Sequence, residues 1–434
     1  MSFDRDHGYP ARPARRRALQ AVATLGVAHL ADALADTATP VLAFSPAAFD
    51  VHADHALIWV ATTGRANVHV RFGRSPDALS EHSASMDLSP ENGHCAAVRL
   101  RGVPQGVVIY YRVFAGDQAL GDAARFHSAR RSGQSLTLVF SGDMEERYRP
   151  FRLFDVMAAQ RPDVFVHLGD TVYADIPKRE FSPTLAHYRR KHARIRADLP
   201  LQSFLAQCAT SAIWDDHEIE NDANGSMPQL AVAEQAFREF WPCDTMQRSG
   251  LYRALRLSPD VELMVLDTRR FRSVQSLPDG AQKTMLGSVQ KAWFLDVLAQ
   301  SKAQWKIVAT SVPFHGSSAD AWGNCRSERD EIVEFIKRQR ITGVVMISAD
   351  YHFAREWSNR RTGIREFMAG PIATFRTFDR KPEAREQHSK GPHFVFGDDL
   401  NFGLLHYDGA RGTLGVRYHD STGATRFDTL LPAP

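Results

Sequence analysis

The sequence has few cysteines and lacks long apolar runs. Its 434 residues include only Cys95, Cys208, Cys243 and Cys325, which lie far apart and form no CxxC pair. This spacing excludes a zinc ribbon and favours isolated buried thiols, with two disulfides as the alternative. Beyond the N-terminal region, no segment has the length and apolarity that a membrane-spanning helix needs.

A strong excess of charge is also missing. The 53 Lys and Arg residues nearly balance the 50 Asp and Glu residues, for a net charge of +3. This value is too small to indicate a nucleic-acid-binding surface or an anionic membrane as the main partner. Hydrophobic residues make up 44% and charged residues 24%, which is an ordinary globular composition. At roughly 150 residues per domain, the length predicts two or three domains.

Residues 1–36 resemble an export signal. Arg15, Arg16 and Arg17 precede a mildly apolar run over 18–35 that ends in small residues. A basic head, a short apolar body and a small-residue exit are the parts of such a signal, and the paired arginines resemble the twin-arginine type. The alternative is a solvated basic tail that leads into an amphipathic helix. We expect twin-arginine export to a periplasmic or extracellular location, with no transmembrane segment in the mature chain.

Two regions of different texture follow the predicted signal. Residues 40–130 contain short apolar or alternating runs between Gly and Pro turns, which predict a small antiparallel β-sandwich of the fibronectin-like kind. After a linker near 130–133, residues 135–434 alternate apolar runs of strand length with helical segments. This alternation predicts an α/β domain that carries the chemistry.

Five apolar runs of the second region end in ionisable residues. The residues that follow these runs are Asp143, Asp170, Asp215-Asp216-His217-Glu218, Asp267, and Asp350 with His352. One Asp after a strand is usually a helix cap or a turn residue, but sites in open α/β sheets form at the carboxyl ends of the strands. Crowded carboxylates repel each other unless a cation neutralises them. The pattern therefore predicts a metal site, and two metals that share a carboxylate suit phosphoryl displacement.

The same segments resemble, in order, the motifs of the calcineurin-like metallophosphoesterases. The Asp-Asp-His-Glu stretch at 215–218 and the Leu-Asp-Thr-Arg stretch at 266–269 are similar to the alkaline phosphatase D (PhoD-like) branch. The resemblance implies an α/β fold with a two-sheet metallophosphoesterase sandwich flanked by helices, preceded by the small all-β domain. It also implies metal-dependent hydrolysis of phosphate esters, of the phosphodiesterase or alkaline phosphatase type, by a metal-bound hydroxide at a binuclear site.

The resemblance further implies a set of metal ligands. Asp170 would bridge the two metals, and Tyr173 would bind the first metal as a phenolate. Fe³⁺ is often the first metal in relatives, whereas an oxygen-rich second site suits Ca²⁺ or Mn²⁺, and less well Mg²⁺ or Zn²⁺. The implied ligands are Asp143, Asp170, Tyr173 and His352 at the first metal, with Asp216 and Asp350 at the second.

Two further residues are implied in catalysis. His217 would protonate the leaving oxygen, because a histidine changes charge near neutral pH. Arg269 would hold non-bridging phosphate oxygens through paired hydrogen bonds. Glu145 and Asn221 are candidates for extra oxygen ligands of the metals.

The sequence departs from the family pattern in its first motif. Relatives often have an iron-binding Cys there, whereas this chain has Ser141-Gly142-Asp143, so the identity of the first metal stays open. Ser311 stands where the wider superfamily has a His. The alternatives for function are phospholipase D-like headgroup hydrolysis, a metal-dependent hydrolase acting on another bond, and a non-catalytic surface binding module with a decayed site. The retained ligand-type residues argue against decay.

Overall fold

Two large β-sheets and one small sheet organise the chain. The computed structural model describes residues 40–245, 249–358, 363–381, 384–385 and 394–434, so the predicted export signal at 1–36 lies outside the described residues. Pro40–Pro434 form one compact unit. No helix among the described residues is long and apolar enough to cross a membrane. The four cysteines are free thiols.

The nine-stranded sheet has the order β21-β20-β19-β9-β10-β11-β1-β2-β6. Its strands are β1 (Ala47–Phe49), β2 (His55–Ala61), β6 (Cys95–Arg101), β9 (Leu136–Ser141), β10 (Val164–Leu168), β11 (Ala209–Ile213), β19 (Asn401–Asp408), β20 (Thr413–Asp420) and β21 (Thr425–Leu431). The neighbours β9, β10 and β11 are parallel, and β10 and β11 are buried at every residue. Continuous apolar runs such as 164–168 are typical of parallel strands covered on both faces.

The seven-stranded sheet has the order β12-β13-β14-β15-β17-β16-β18. Its strands are β12 (Arg253–Arg256), β13 (Val261–Val265), β14 (Trp305–Ala309), β15 (Val344–Ser348), β16 (Ala354–Ser358), β17 (Arg365–Met368) and β18 (Val395–Phe396). Because side chains alternate between faces of a strand, Leu263 and Ile307 join the core shared with the nine-stranded sheet, while Met264 and Val308 join a second core.

Helices cover the outer faces of the two large sheets. They are α1 (Leu153–Ala159), α2 (Leu185–Arg196), α3 (Leu199–Leu205), α4 (Leu230–Phe240), α5 (Gly287–Gln300), α6 (Arg326–Arg338) and α7 (Thr377–Arg380). Phe294 and Leu298 of α5 and Ile332 of α6 complete the second core, against the seven-stranded sheet. The predicted two-sheet α/β sandwich flanked by helices is therefore confirmed.

The N-terminal region contributes to two sheets. The small antiparallel sheet has the order β4-β3-β7-β8, with β5 paired to β3. Its strands are β3 (Ala66–Gly73), β4 (Glu81–His82), β5 (Met86–Leu88), β7 (Val108–Ala115) and β8 (Gln118–His127). By contrast, β1, β2 and β6 extend the nine-stranded sheet, since Phe49 of β1 pairs with Thr210 of β11. The all-β character of this region is confirmed, and the domain boundary at 130–135 stays a prediction.

Candidate metal centre

The predicted ligands lie in loops that follow neighbouring strands. Asp143 follows β9, Asp170 follows β10, and Asp216 follows β11, and these three strands are parallel neighbours. Asp350 and His352 follow β15 of the other large sheet. Carboxyl ends of parallel strands meet at one edge of a sheet, so the fold delivers these side chains to a common region.

The backbone of this region is unusual at the predicted ligands. Asp143, Asp170, Asp350 and His352 have positive φ values of 66°, 52°, 76° and 56°. A non-glycine residue in this left-handed region costs about 1–3 kcal/mol, and such residues concentrate at functional sites. The surrounding structure therefore holds these four side chains in place against a local preference for another conformation.

Glycines allow the ligand loops to approach closely. A Cβ atom added to Gly142 would lie 2.7 Å from the Cβ of Ala349, and one added to Gly169 would lie 2.6 Å from the Cβ of Asp215. Real Cβ atoms essentially never come this close, so both positions require glycine. Gly142 and Ala349 each precede a predicted ligand, and their contact joins the loops of the two large sheets.

One cluster of potential ligands contains Asp143, Asp170 and His352. Each offers one ligand atom, and these atoms lie within 4.8 Å of one another. His352 Nε2 lies 3.6 Å from Asp143 Oδ1 and 3.1 Å from the phenolic oxygen of Tyr173. All four side chains are buried. The structure thus brings together the ligands predicted for the first metal.

Two more clusters adjoin the first. Asp170, Asp216 and His217 form one, and Asp215, Asp320 and Asp350 form the other. Asp170 belongs to two clusters, which is the arrangement that a bridging carboxylate needs. Asp350 groups with Asp215 and Asp320, two carboxylates that were not among the predicted ligands.

The electrostatics of these clusters favour a bound cation. Burial is the largest cause that raises the pKa values of Asp143, Asp170 and Asp350, and neighbouring carboxylates raise them further. Burial lowers the pKa of His352 to about 3, which leaves a neutral imidazole with a lone pair for a metal. Asp143 Oδ2 is buried without a hydrogen-bond partner in the described part of the chain. The donor set therefore fits a metal ion.

Comparison with known proteins shows the family and the fold of the chain. Residues 137–418 match the family described as PhoD-like phosphatase. The chain belongs to the PhoD-like phosphatase family. Alkaline phosphatase D of Bacillus subtilis (strain 168) is 25% identical over 379 residues, covering 71% of this chain. This chain spans 64% of the length of that relative. A solved structure of PhoD superposes with a TM-score of 0.76 at 20% identity, over 89% of this chain and 92% of that one, and so shares the fold.

In this member of the PhoD-like phosphatase family, His217 has a carboxylate partner that the sequence did not reveal. His217 Nδ1 lies 2.7 Å from Asp175 Oδ1, and its ring lies 4.2 Å from that of Tyr173. Burial opposes a charge on His217, but Asp216 and Asp175 outweigh burial and raise its pKa to about 9. Asp175 also accepts the backbone N–H of Asn221 at 3.2 Å. The pair therefore fixes the imidazole beside the ligand clusters.

Arg269 is bound to carboxylates instead of facing solvent. Its side chain is fully buried, and its Nε donates to Asp215 Oδ1 at 2.6 Å. Its two terminal nitrogens donate to the carboxylate of Asp320 at 2.8 and 2.6 Å. Ser311 Oγ adds a 2.6 Å hydrogen bond to Asp215. Phosphate binding by Arg269 stays a prediction, whereas its observed contacts position the carboxylates of the third cluster.

Three other residues noted in the sequence lie outside the ligand clusters. Asp267 follows β13 but accepts hydrogen bonds from Trp214 Nε1 at 2.7 Å and from the backbone N–H of Leu251 at 2.9 Å. Glu145 accepts from Thr374 Oγ1 at 3.3 Å and pairs with Arg147. The Asn221 amide donates to Asp222 at 2.8 Å. These side chains support the loops around the site.

Proposed function

We propose that this PhoD-like phosphatase hydrolyses phosphate esters at a centre that holds two metal ions. The observation that carries the proposal is the position of Asp170, which belongs to two adjoining ligand clusters. Bound metal ions would acidify a water molecule and neutralise the charge of the phosphoryl group. Family membership supports a phosphate ester as the substrate.

The donor atoms favour different metals in the two positions. Asp143, Tyr173 and His352 combine carboxylate, phenol and imidazole, a hard set that suits Fe³⁺. No cysteine among the described residues joins the clusters. The carboxylates of Asp170 and Asp216 suit Ca²⁺ or Mn²⁺ at the second position, whereas Asp350 lies in the third cluster, with Asp215 and Asp320. We therefore propose an iron ion in the first position without the cysteine ligand of many relatives.

His217 is proposed as the acid that protonates the leaving oxygen. Asp175 accepts a hydrogen bond from Nδ1–H and so leaves Nε2 to carry the transferable proton. When the bond between phosphorus and the leaving oxygen breaks, the proton on Nε2 passes to that oxygen and the imidazole becomes neutral. Asp175 and Asp216 stabilise the cationic form before transfer.

We also propose that the chain is exported by the signal predicted at residues 1–36.

The test combines metal analysis with an enzyme assay. Purified protein should contain metal, hydrolyse an aryl phosphodiester or an aryl phosphomonoester, and lose this activity on chelation. A broad visible absorption together with iron would support Tyr173 as a phenolate ligand. Asp170→Asn should lose turnover and bind both metals more weakly, whereas Asp122→Asn, at an exposed position, should behave as wild type. Protein that stays metal-free and inactive after reconstitution would favour the non-catalytic binding module instead.

A further inference from the structure

A further group of side chains that could hold a metal ion shares no residue with the candidate metal centre. The loop from β1 to β2 carries His52, and His55 begins β2. Asp244 follows α4 and meets both of them across a long stretch of sequence. His52, His55 and Asp244 each offer one ligand atom, and these atoms lie within 4.8 Å of one another. We call this group the loop cluster.

The two imidazole rings of the loop cluster are parallel and face the same carboxylate. Their centroids are 4.3 Å apart with an interplanar angle of 10°. His55 Nε2 lies 2.8 Å from Asp244 Oδ2, and His52 Nε2 lies 3.7 Å from the same atom. Two nitrogen atoms and one oxygen atom thus converge from three side chains.

Neighbouring carboxylates hold the loop cluster in this arrangement. His55 Nδ1 lies 2.7 Å from Asp54 Oδ1, so the far side of the imidazole has the carboxylate partner that metal-binding histidines commonly have. Asp50 Oδ2 accepts the backbone N–H of Asp244 at 2.7 Å. These contacts fix the orientation of His55 and the backbone position of Asp244. They do not involve His55 Nε2 or the carboxylate of Asp244, which are the potential ligand atoms.

His52 has an unsatisfied atom inside the loop cluster. Its Nε2 is buried and has no hydrogen-bond partner within the residues that the structure describes. Buried polar atoms are nearly always paired, so this atom requires an explanation. Burial is the main cause that lowers the pKa of His52, and the neutral imidazole that results is the form that binds metals.

The charge around the loop cluster leaves room for a cation. Arg99 Nη1 lies 2.8 Å from Asp244 Oδ2 in an ion pair, and Arg253 pairs with Asp50. Against these two guanidinium groups stand three carboxylates, those of Asp50, Asp54 and Asp244, so one negative charge remains. Asp244 Oδ2 faces both imidazoles and also lies beside Arg99, so a cation would share this oxygen with the guanidinium group.

We propose that His52, His55 and Asp244 bind a zinc ion that is separate from the catalytic metals. Two imidazoles and one carboxylate are a common zinc ligand set, with water in the remaining position. The ion would join the β1–β2 loop to the segment after α4 and satisfy His52 Nε2. This proposal does not depend on the proposed hydrolysis of phosphate esters.

Zinc titration of the full chain tests the proposal. His52→Gln is the first variant, because His52 Nε2 makes no hydrogen bond that the substitution would break. The matched control is His82→Gln at an exposed position of β4. Both are made in the Asp170→Asn background, where the catalytic metals are expected to be weakly bound. Calorimetric titration with Zn²⁺ and elemental analysis after dialysis report affinity and content.

We expect His52→Gln to weaken zinc binding at least ~10-fold and to lose one zinc per chain relative to His82→Gln. His55→Gln is a second variant with the same expected loss, so one unstable protein does not decide the result. Zinc content and affinity in His52→Gln equal to those of the His82→Gln control would overturn the proposal. In the chain without Asp170→Asn, His52→Gln should leave ester hydrolysis unchanged. If the wild-type chain did not hydrolyse phosphate esters, this result would contradict the proposed function and would leave the zinc proposal unaffected.

Discussion

Nδ1 of His217 lies 2.7 Å from Oδ1 of Asp175, a carboxylate five positions beyond Asp170 in the same loop. The pair couples the proposed acid to a carboxylate that belongs to none of the ligand clusters among the described residues. Asp175 therefore acts through His217, and its effect should appear in the pH dependence of the reaction.

Asp175→Asn should lower the pKa of His217, because one of the three carboxylates that raise it to about 9, those of Asp216, Asp175 and Glu218, loses its charge. His217 works as an acid only below its pKa, so the alkaline limb of the plot of kcat against pH should move to lower pH. We expect kcat to fall ~10-fold or more, with a smaller change in KM. An unchanged pH profile would show that Asp175 does not act through His217.

Gly142→Ala should disturb the metal centre through backbone packing alone. The added methyl group would lie 2.7 Å from the Cβ of Ala349, between the loops that carry Asp143 and Asp350. Overpacking of this kind costs about 1–3 kcal/mol, so we expect a lower Tm and weaker metal binding. Gly64→Ala is the control, because its methyl group would meet no atom within 4 Å. Equal Tm and metal content in both variants would contradict this account.

Metal removal should destabilise the protein more at alkaline than at acidic pH. Burial raises the pKa of Asp143 and Asp170, and it raises that of Asp215 to about 6. A carboxyl group whose folded pKa is raised contributes stability below its unfolded pKa, and this contribution is lost as pH rises through the folded pKa. A metal ion compensates for the loss by neutralising the charges.

The difference in Tm between metal-loaded and chelated protein should therefore increase from pH 5.5 to pH 8. This range includes the pKa of Asp215, which burial raises to about 6. Thermal unfolding in the two states at each pH measures it. A difference that is constant over this range would mean that the crowded carboxylates do not control metal-free stability.

Asp50→Ala should unfold the protein more readily than a surface substitution of the same kind. Asp50 pairs with Arg253, and both side chains are almost completely buried. Removing one partner of a buried ion pair costs about 3–5 kcal/mol, because the other charge stays buried without a partner. Asp428→Ala breaks the exposed pair with Arg417 and should cost about 0–1 kcal/mol. Urea unfolding compares the two, and equal midpoints would contradict the expectation.

Local sequence was sufficient for the strands and for the ligands that directly follow them. Apolar runs such as 136–140 and 164–168 end at Asp143 and Asp170, and a run of this kind predicts a buried parallel strand whatever lies around it. Order along the chain also predicted that these residues belong to one family pattern, which the match over 137–418 confirms.

Asp175 and Asp320 could not be predicted in this way. Each lies in a loop with no strand directly before it, so neither follows a periodic run that would mark it. Arg269 was predicted to bind phosphate, yet its donors contact Asp215 and Asp320, which are 54 and 51 residues away in sequence. Partners this distant are set by how the loops of two sheets meet.

In the N-terminal region too, the strands could be predicted from the sequence, whereas their neighbours could not. The local pattern is enough to predict strands at 56–60 and 66–72, because the first run is apolar throughout and the second alternates. The pattern does not predict that β2 joins the nine-stranded sheet while β3 belongs to the small one, which follows from the three-dimensional arrangement. The hydrophobic pattern of a strand predicts which of its faces are buried. Its neighbours are bound by backbone hydrogen bonds along its edges, and every strand has the same backbone groups there. The pattern alone therefore does not predict which strands pair.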